Sequence, residues 1–79
     1  MELSFEEALE EIIIGRTAYD NDRHQMALYA IQNFRILKKY LPDDKSREMS
    51  ELIAEFLKNK INSFSFEQKA KELQARAAM

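Results

Sequence analysis

The sequence contains no cysteine, no tryptophan, one glycine and one proline among its 79 residues. Without cysteine, the chain has no means of forming disulfides, thiolate zinc sites or iron–sulfur centres, and thiol catalysis is excluded. A single glycine excludes the glycine-rich loops that cradle phosphate groups. The scarcity of glycine and proline also argues against a turn-rich β protein.

Long apolar runs and an excess of positive charge are missing as well. The longest uninterrupted aliphatic run is Ile12 to Ile14, whereas a membrane span needs about 20 apolar residues. The first residues, Met-Glu-Leu-Ser, lack the basic region of a signal peptide. The net charge is −2, which argues weakly against nucleic-acid binding. We therefore expect a soluble, cytoplasmic protein with no membrane partner.

Apolar residues make up 46% of the chain and charged residues 33%, a composition typical of globular proteins. Their spacing is helical throughout. The first helix is predicted to begin at Ser4, which forms a capping box with Glu7. Asp22 is predicted to cap a second helix that extends to about Leu41, because Pro42 disfavours helical geometry in the preceding residue.

The second half of the chain predicts two further helices. Asp43 and Asp44 are expected to cap the third helix, whose apolar stripe reaches Ile61. The fourth is expected to open with a capping box at residues 65–68 and to dock loosely, because its apolar stripe is thin. We therefore predict one all-α domain over residues 1–79. It is an antiparallel bundle of four helices, three of them long and the C-terminal one shorter.

The apolar stripes of the second and third helices identify a core between them. Phe34 and Leu37 recur at helical spacing on one stripe, and Phe56 and Leu57 belong to the other. Because the short connection through Pro42 makes these helices neighbours, we expect the two stripes to face each other.

Candidate catalytic and metal-binding residues are sparse. Glu6 and Glu10 lie one helical turn apart, as do ligands of di-metal bundles, but such sites also need Glu-x-x-His pairs. His24 is the only histidine, and no serine lies in a glycine-flanked nucleophile elbow. The acidic residues are therefore interpreted as a solvated helix face. We expect no enzymatic activity, no metal and no cofactor.

Charge is distributed unevenly along the chain. Residues 1–15 contain five glutamates and no basic residue, whereas residues 16–41 contain five basic residues and two aspartates. The two segments are expected to attract each other within the bundle or across an interface between two copies. The candidate charged contacts are Glu6, Glu10, Arg35, Lys38 and Lys39.

The chain also has more apolar side chains than one small core needs. The second helix carries two adjacent apolar stripes, and Gly15 lies inside the first helix, where glycine often marks close approach of another segment. A domain of this size gains from covering such a surface with a second copy. We predict a homodimer interface made by Ile14, Gly15, Ala18, Met26, Tyr29, Ile36 and Tyr40.

One partial resemblance involves Gly15, Tyr19, Ala27 and Leu37, followed by residues 42–44. This stretch resembles a single degenerate tetratricopeptide hairpin, with the tyrosine one position late and the proline about one turn late. It covers less than half of the chain, and no second copy follows, whereas arrays of this repeat need about three. The family is not assigned, and the resemblance implies only an antiparallel helix pair used for protein binding.

These observations favour a small, acidic, non-catalytic module that binds another protein through its helix faces. Adaptors, inhibitors and immunity or antitoxin-type neutralisers are the kinds of protein that fit. The alternative is a nucleic-acid-binding regulator that uses Arg35, Lys38, Lys39 and the following turn. The helix after that turn carries Glu48, Glu51 and Glu55, which would face phosphates badly. A protein is therefore the expected partner.

Overall fold

The computed structural model describes residues 2–77 of the chain. It confirms the all-α fold and the four helices, and no strand occurs within the described range. A short 3₁₀ helix, Lys38–Tyr40, extends the second of them. The helices are α1, Phe5–Ala18; α2, Arg23–Leu37; α3, Asp43–Leu57; and α4, Ser63–Ala77.

The four helices form two antiparallel hairpins that pack together. α1 packs closely along α2, and α3 along α4, whereas α2 meets α3 and α1 meets α4 less extensively. The connections are only a few residues long, which makes consecutive helices antiparallel neighbours. The main neighbours follow the cyclic order α1, α2, α3, α4. The seam between α2 and α3 therefore lies on the side of the bundle opposite the seam between α1 and α4.

The core draws on all four helices. Its fully buried members include Leu9 of α1, Leu37 of α2, Phe56 of α3 and Phe66 of α4. The Phe56 and Phe66 rings stack with their centroids 4.3 Å apart, and the Arg16 guanidinium carbon lies 4.3 Å from the Phe56 centroid. Of the four residues predicted to form the core between α2 and α3, Leu37 and Phe56 are fully buried. Phe34 and Leu57 are only partly buried and pack at its edge.

The predicted caps of the first two helices are present. The Ser4 Oγ accepts a hydrogen bond from the Glu7 amide at 3.1 Å, and the Ser4 amide donates to Glu7 Oε1 at 2.9 Å. Asp22 Oδ1 accepts from the Gln25 amide at 3.1 Å. These side chains satisfy amide groups that have no partner within the helix.

The predicted junction between α2 and α3 is wrong in detail. The α-helical part of α2 ends at Leu37 rather than near Leu41, and the next turn is 3₁₀. Leu41 is extended, as expected for the residue before a proline. Pro42 itself occupies the N-cap position of α3, so Asp43 and its neighbour lie inside the first turn. There they stabilise the positive end of the helix dipole instead of capping it.

The ends of α3 and α4 also differ from the prediction. α3 stops at Leu57, because Asn59 adopts a left-handed conformation with φ of 63°. The Lys60 amide donates to the Glu55 carbonyl, and the Asn59 amide to the Phe56 carbonyl, which is the Schellman arrangement. The sequence carries no glycine here to mark the stop.

α4 begins two residues before the predicted capping box. Its N-terminal cap is Asn62, whose Oδ1 accepts a hydrogen bond from the Ser65 amide at 2.8 Å. With 15 residues, α4 is as long as α2 and α3, not shorter. It also docks firmly, since Phe66 and Ala70 are fully buried. The small residues of its stripe permit close packing rather than weak packing.

Candidate functional site

The seven residues predicted as a homodimer interface do not share one surface of the chain. Gly15 and Met26 are buried inside the bundle, and Tyr29 and Ile36 are half-buried. Ile14, Ala18 and Tyr40 are exposed. Contact of these residues with a second copy stays a prediction, but Gly15 and Met26 already contact residues of their own chain.

Two of the tyrosines among them have partners within the chain. Tyr29 packs against Gly15 and lies 5.4 Å from the ring of Tyr19. The Tyr40 hydroxyl donates to the Leu3 carbonyl at 3.1 Å, and its ring meets Phe5 edge-on at 6.0 Å. Tyr40 therefore lies at the start of α1, about 14 Å along the helix from Ile14.

The predicted charged contacts are separated as well. Lys39 forms an ion pair with Glu2, and Lys38 lies 5.6 Å from the centre of the Phe34 ring. Arg35 is exposed on α2. Glu6 and Glu10 are exposed on α1 and lie close to Lys71 of α4. The basic end of α2 and the acidic start of α1 thus meet in the pair of Lys39 with Glu2.

An apolar surface depression forms a groove between α2 and α3. Its central part has a volume of about 190 Å³. Alanine and serine at several lining positions leave open the space between the two helices. Ile31, on its rim, is 51% exposed. The residues that line this α2–α3 groove are Ala27, Ala30, Ile31, Phe34, Ser50, Ile53, Ala54 and Leu57.

Basic residues stand at both ends of the α2–α3 groove. At one end Ala27 and Leu57 continue into a depression that also contains Arg23 and Lys58. At the other end Phe34 and Ser50 continue into one that contains Lys38 and Arg47, together with Asp43. The four basic side chains and the one carboxylate give the groove ends a net charge of +3. From Arg23 to Lys38 the groove is about 22 Å long, or four helical turns.

A second apolar surface lies at the seam between α1 and α4. Phe64 is 71% exposed in the first turn of α4, and Ile14 of α1 is 53% exposed. They border one depression together with Ile13, Ser63, Glu10 and Glu67. We call this surface the Phe64 patch.

Carboxylates border the Phe64 patch. Lys71 donates a hydrogen bond to Glu67 at 3.0 Å. This bond, with the charge of Glu67 and the further carboxylates of Glu6 and Glu10, raises the pKa of Lys71. Two of these carboxylates, Glu10 and Glu67, line the depression itself and make it acidic.

Sequence reasoning missed both surfaces. It predicted apolar stripes on α2 without predicting which of their residues stay exposed, and it gave Phe64 no role. One signal was available for Phe64. Phe64 and Phe66 are two residues apart, so they point to opposite sides of a helix, and only one of them can enter the core.

The described residues were searched for a cluster of metal-binding side chains and for a membrane-spanning helix. Within residues 2–77 no three potential metal-binding side chains come together. No helix in that range is both long enough and apolar enough to cross a membrane. His24 is exposed at the start of α2. Comparisons with protein-family models, curated proteins and solved structures find no match for this chain.

Proposed function

We propose that the chain is a small, non-catalytic protein-binding module whose binding site is the α2–α3 groove. The observation that carries this proposal is an apolar groove between two helices with basic residues at both ends. Amphipathic helices bind such grooves by inserting apolar side chains one turn apart. The complementary ligand is therefore a helical segment with an apolar face and acidic residues at its ends.

The energetics of the groove support this proposal. Ile31, Phe34 and Leu57 remain at least partly exposed along it, and a ligand that covers them removes apolar surface from water, at about 25 cal/mol per Å². The basic residues at the ends steer an acidic ligand and reject a basic one, which contributes specificity and association rate more than affinity.

The experiment measures fluorescence anisotropy with two designed helical peptides of about 16 residues, the length that four turns require. One has a leucine face and glutamates at both ends, and the other has lysines in place of the glutamates. We expect the glutamate peptide to bind at least about tenfold more tightly, with an affinity that falls as salt rises. Equal binding of the two peptides, or binding of neither, would contradict the proposal.

Two variants on the same helix provide the matched control. Ile31→Glu places a carboxylate on the rim of the groove and is expected to abolish binding of the glutamate peptide. Leu28, which is 38% exposed, does not line the groove, so Leu28→Glu is expected to leave binding unchanged. If both variants lose binding equally, the site is not the groove.

A nucleic-acid-binding regulator is the alternative outcome of the same assay. A labelled DNA duplex replaces the peptide, and Arg35, Lys38 and Lys39 are changed to glutamine together. Salt-sensitive binding of the duplex that this triple variant loses would favour the alternative. The pairing of Lys39 with Glu2 and the exposed glutamates of α3 favour the peptide instead.

A further inference from the structure

We infer that the α2–α3 groove accepts the Phe64 patch of a second copy of this chain, so that the protein associates head to tail. This inference rests on the proposed function, because it names the occupant of the same groove. It starts from two apolar surfaces of one molecule that carry opposite charge. The groove has basic ends, and the carboxylates of Glu10 and Glu67 line the Phe64 patch.

The charges select one mode of self-association among three. A twofold dimer through the grooves would bring Arg23, Lys58, Lys38 and Arg47 of one copy near the same residues of the other. A twofold dimer through the patches would bring Glu10 and Glu67 together with their counterparts. Like charges placed face to face disfavour an interface strongly. Only contact between groove and patch pairs opposite charges and covers both apolar surfaces.

The side chains at the Phe64 patch suit an anchor. Phe64 is the most exposed of the large apolar side chains described, and Ile14 stands beside it. An aromatic side chain inserted in an apolar depression is the usual centre of an interface. The groove is lined by small residues along Ala27, Ser50 and Ala54, which leave room for such an anchor.

The positions of the two surfaces determine the form of the assembly. The groove lies at the seam of α2 and α3, and the patch at the opposite seam of α1 and α4. A contact between two different surfaces leaves one of each free on the pair that it forms. Association therefore continues by adding further copies, which differs from the closed homodimer expected from the sequence.

The test uses one variant of each surface. The patch variant carries Ile14→Ser and Phe64→Ser, and the groove variant carries Ile31→Glu. All three side chains are at least half exposed, so both variants are expected to keep the helical circular-dichroism spectrum of the wild type. Sedimentation velocity then gives the size of each species from about 1 μM to several hundred micromolar, the range of weak to moderate interfaces.

We expect the wild-type protein to form species larger than dimers as its concentration rises, and each variant alone to remain monomeric. An equimolar mixture of the two variants should form a one-to-one dimer and nothing larger. In that dimer the intact groove of the patch variant holds the intact patch of the groove variant. The two surfaces that remain free both carry substitutions, so no further copy can add. Leu28→Glu is the control and should associate like the wild type.

Several results would overturn the inference. The wild-type protein could stay monomeric over the whole concentration range. Either variant could still assemble like the wild type, or the mixture of the two variants could form no dimer. The patch variant also separates this inference from the proposed function, because its groove is intact and free. If it binds the glutamate peptide while the wild-type protein stays monomeric, the groove binds another protein and self-association fails alone. If it does not bind the peptide, the proposed function fails as well.

Discussion

Gly15 of α1 lies directly against the Tyr29 side chain of α2, where the ring joins the Cβ atom. A Cβ atom at position 15 would be 2.6 Å from Tyr29 Cδ2 and 3.0 Å from Tyr29 Cβ. The second distance involves an atom fixed to the backbone, so rotation of the ring would not relieve the contact. The single glycine of the sequence thus permits the close approach of α1 and α2.

Gly15→Ala tests this contact because two effects oppose each other. Alanine in a helix interior is favoured over glycine by about 1 kcal/mol, whereas forcing a methyl group into a filled space costs about 1–3 kcal/mol. We expect a net loss of up to about 2 kcal/mol in the free energy of unfolding, measured by urea denaturation. In a Tyr29→Ala background the same substitution should be neutral or stabilising. A stabilising effect in the wild-type background would contradict the close contact.

Phe56→Ala is expected to destabilise the protein by about 3–5 kcal/mol, because a fully buried ring leaves a cavity when it is removed. It would also remove the stacking on Phe66 and the contact with Arg16. Thermal or urea denaturation measures the loss. Phe64→Ala is the matched control, and its exposed ring predicts a change below about 0.5 kcal/mol in dilute solution. A loss below about 1 kcal/mol for Phe56→Ala would place its ring outside the core.

Asn62→Ala and Ser65→Ala distinguish the cap of α4 in the structure from the capping box expected from the sequence. The Asn62 side chain accepts the Ser65 amide, so its removal should cost about 1 kcal/mol of unfolding free energy. Ser65 lies inside the first turn, and its change should fall within about 0.5 kcal/mol. A larger loss for Ser65→Ala than for Asn62→Ala would show that Ser65 caps the helix, as the sequence predicted.

Asn59→Gly should stabilise the protein by about 0.5–1 kcal/mol, because the left-handed conformation at the end of α3 suits glycine. Lys58 has an ordinary φ of −89°, so Lys58→Gly is the control and should destabilise slightly. The midpoints of denaturation of the two variants provide the comparison. Equal effects would show that the backbone at Asn59 is not left-handed.

The lowered pKa of Glu7, at the start of α1, predicts that the stability of the protein depends on pH. Its hydrogen bonds from the Ser4 amide and hydroxyl lower its pKa from the ordinary 4.5. Since the folded state holds the charged form, the contribution to stability is present above pH 4.5 and is lost as the pH falls through the lowered pKa. Titration of the Glu7 side chain by NMR should show the lowered pKa, and Ser4→Ala should bring it back toward the ordinary value. An unchanged pKa in that variant would exclude a role for the hydroxyl.

The sequence alone determined the number of helices and the starts of the first two. Hydrophobic periodicity, the Ser4 and Glu7 capping box and the Asp22 cap are local features, so neighbouring residues contain all the information they need. Pro42 likewise explains why Leu41 is extended, but the sequence did not show that the α-helix ends earlier, at Leu37, before a 3₁₀ turn. The end of α3 was not predicted, because no local sequence pattern marks Asn59 as the residue that adopts the left-handed conformation.

Only the tertiary structure decided which apolar residues of α2 are buried. The sequence shows two adjacent apolar stripes, and which of their residues are buried depends on how the hairpins pack. Gly15 of α1 packs against Tyr29 of α2, whereas Ala27 and Ile31 line the open groove toward α3. The firm docking of Phe66 likewise leaves Phe64 exposed. Helical periodicity specifies the faces of a helix, but the packing of neighbouring helices determines which face is buried.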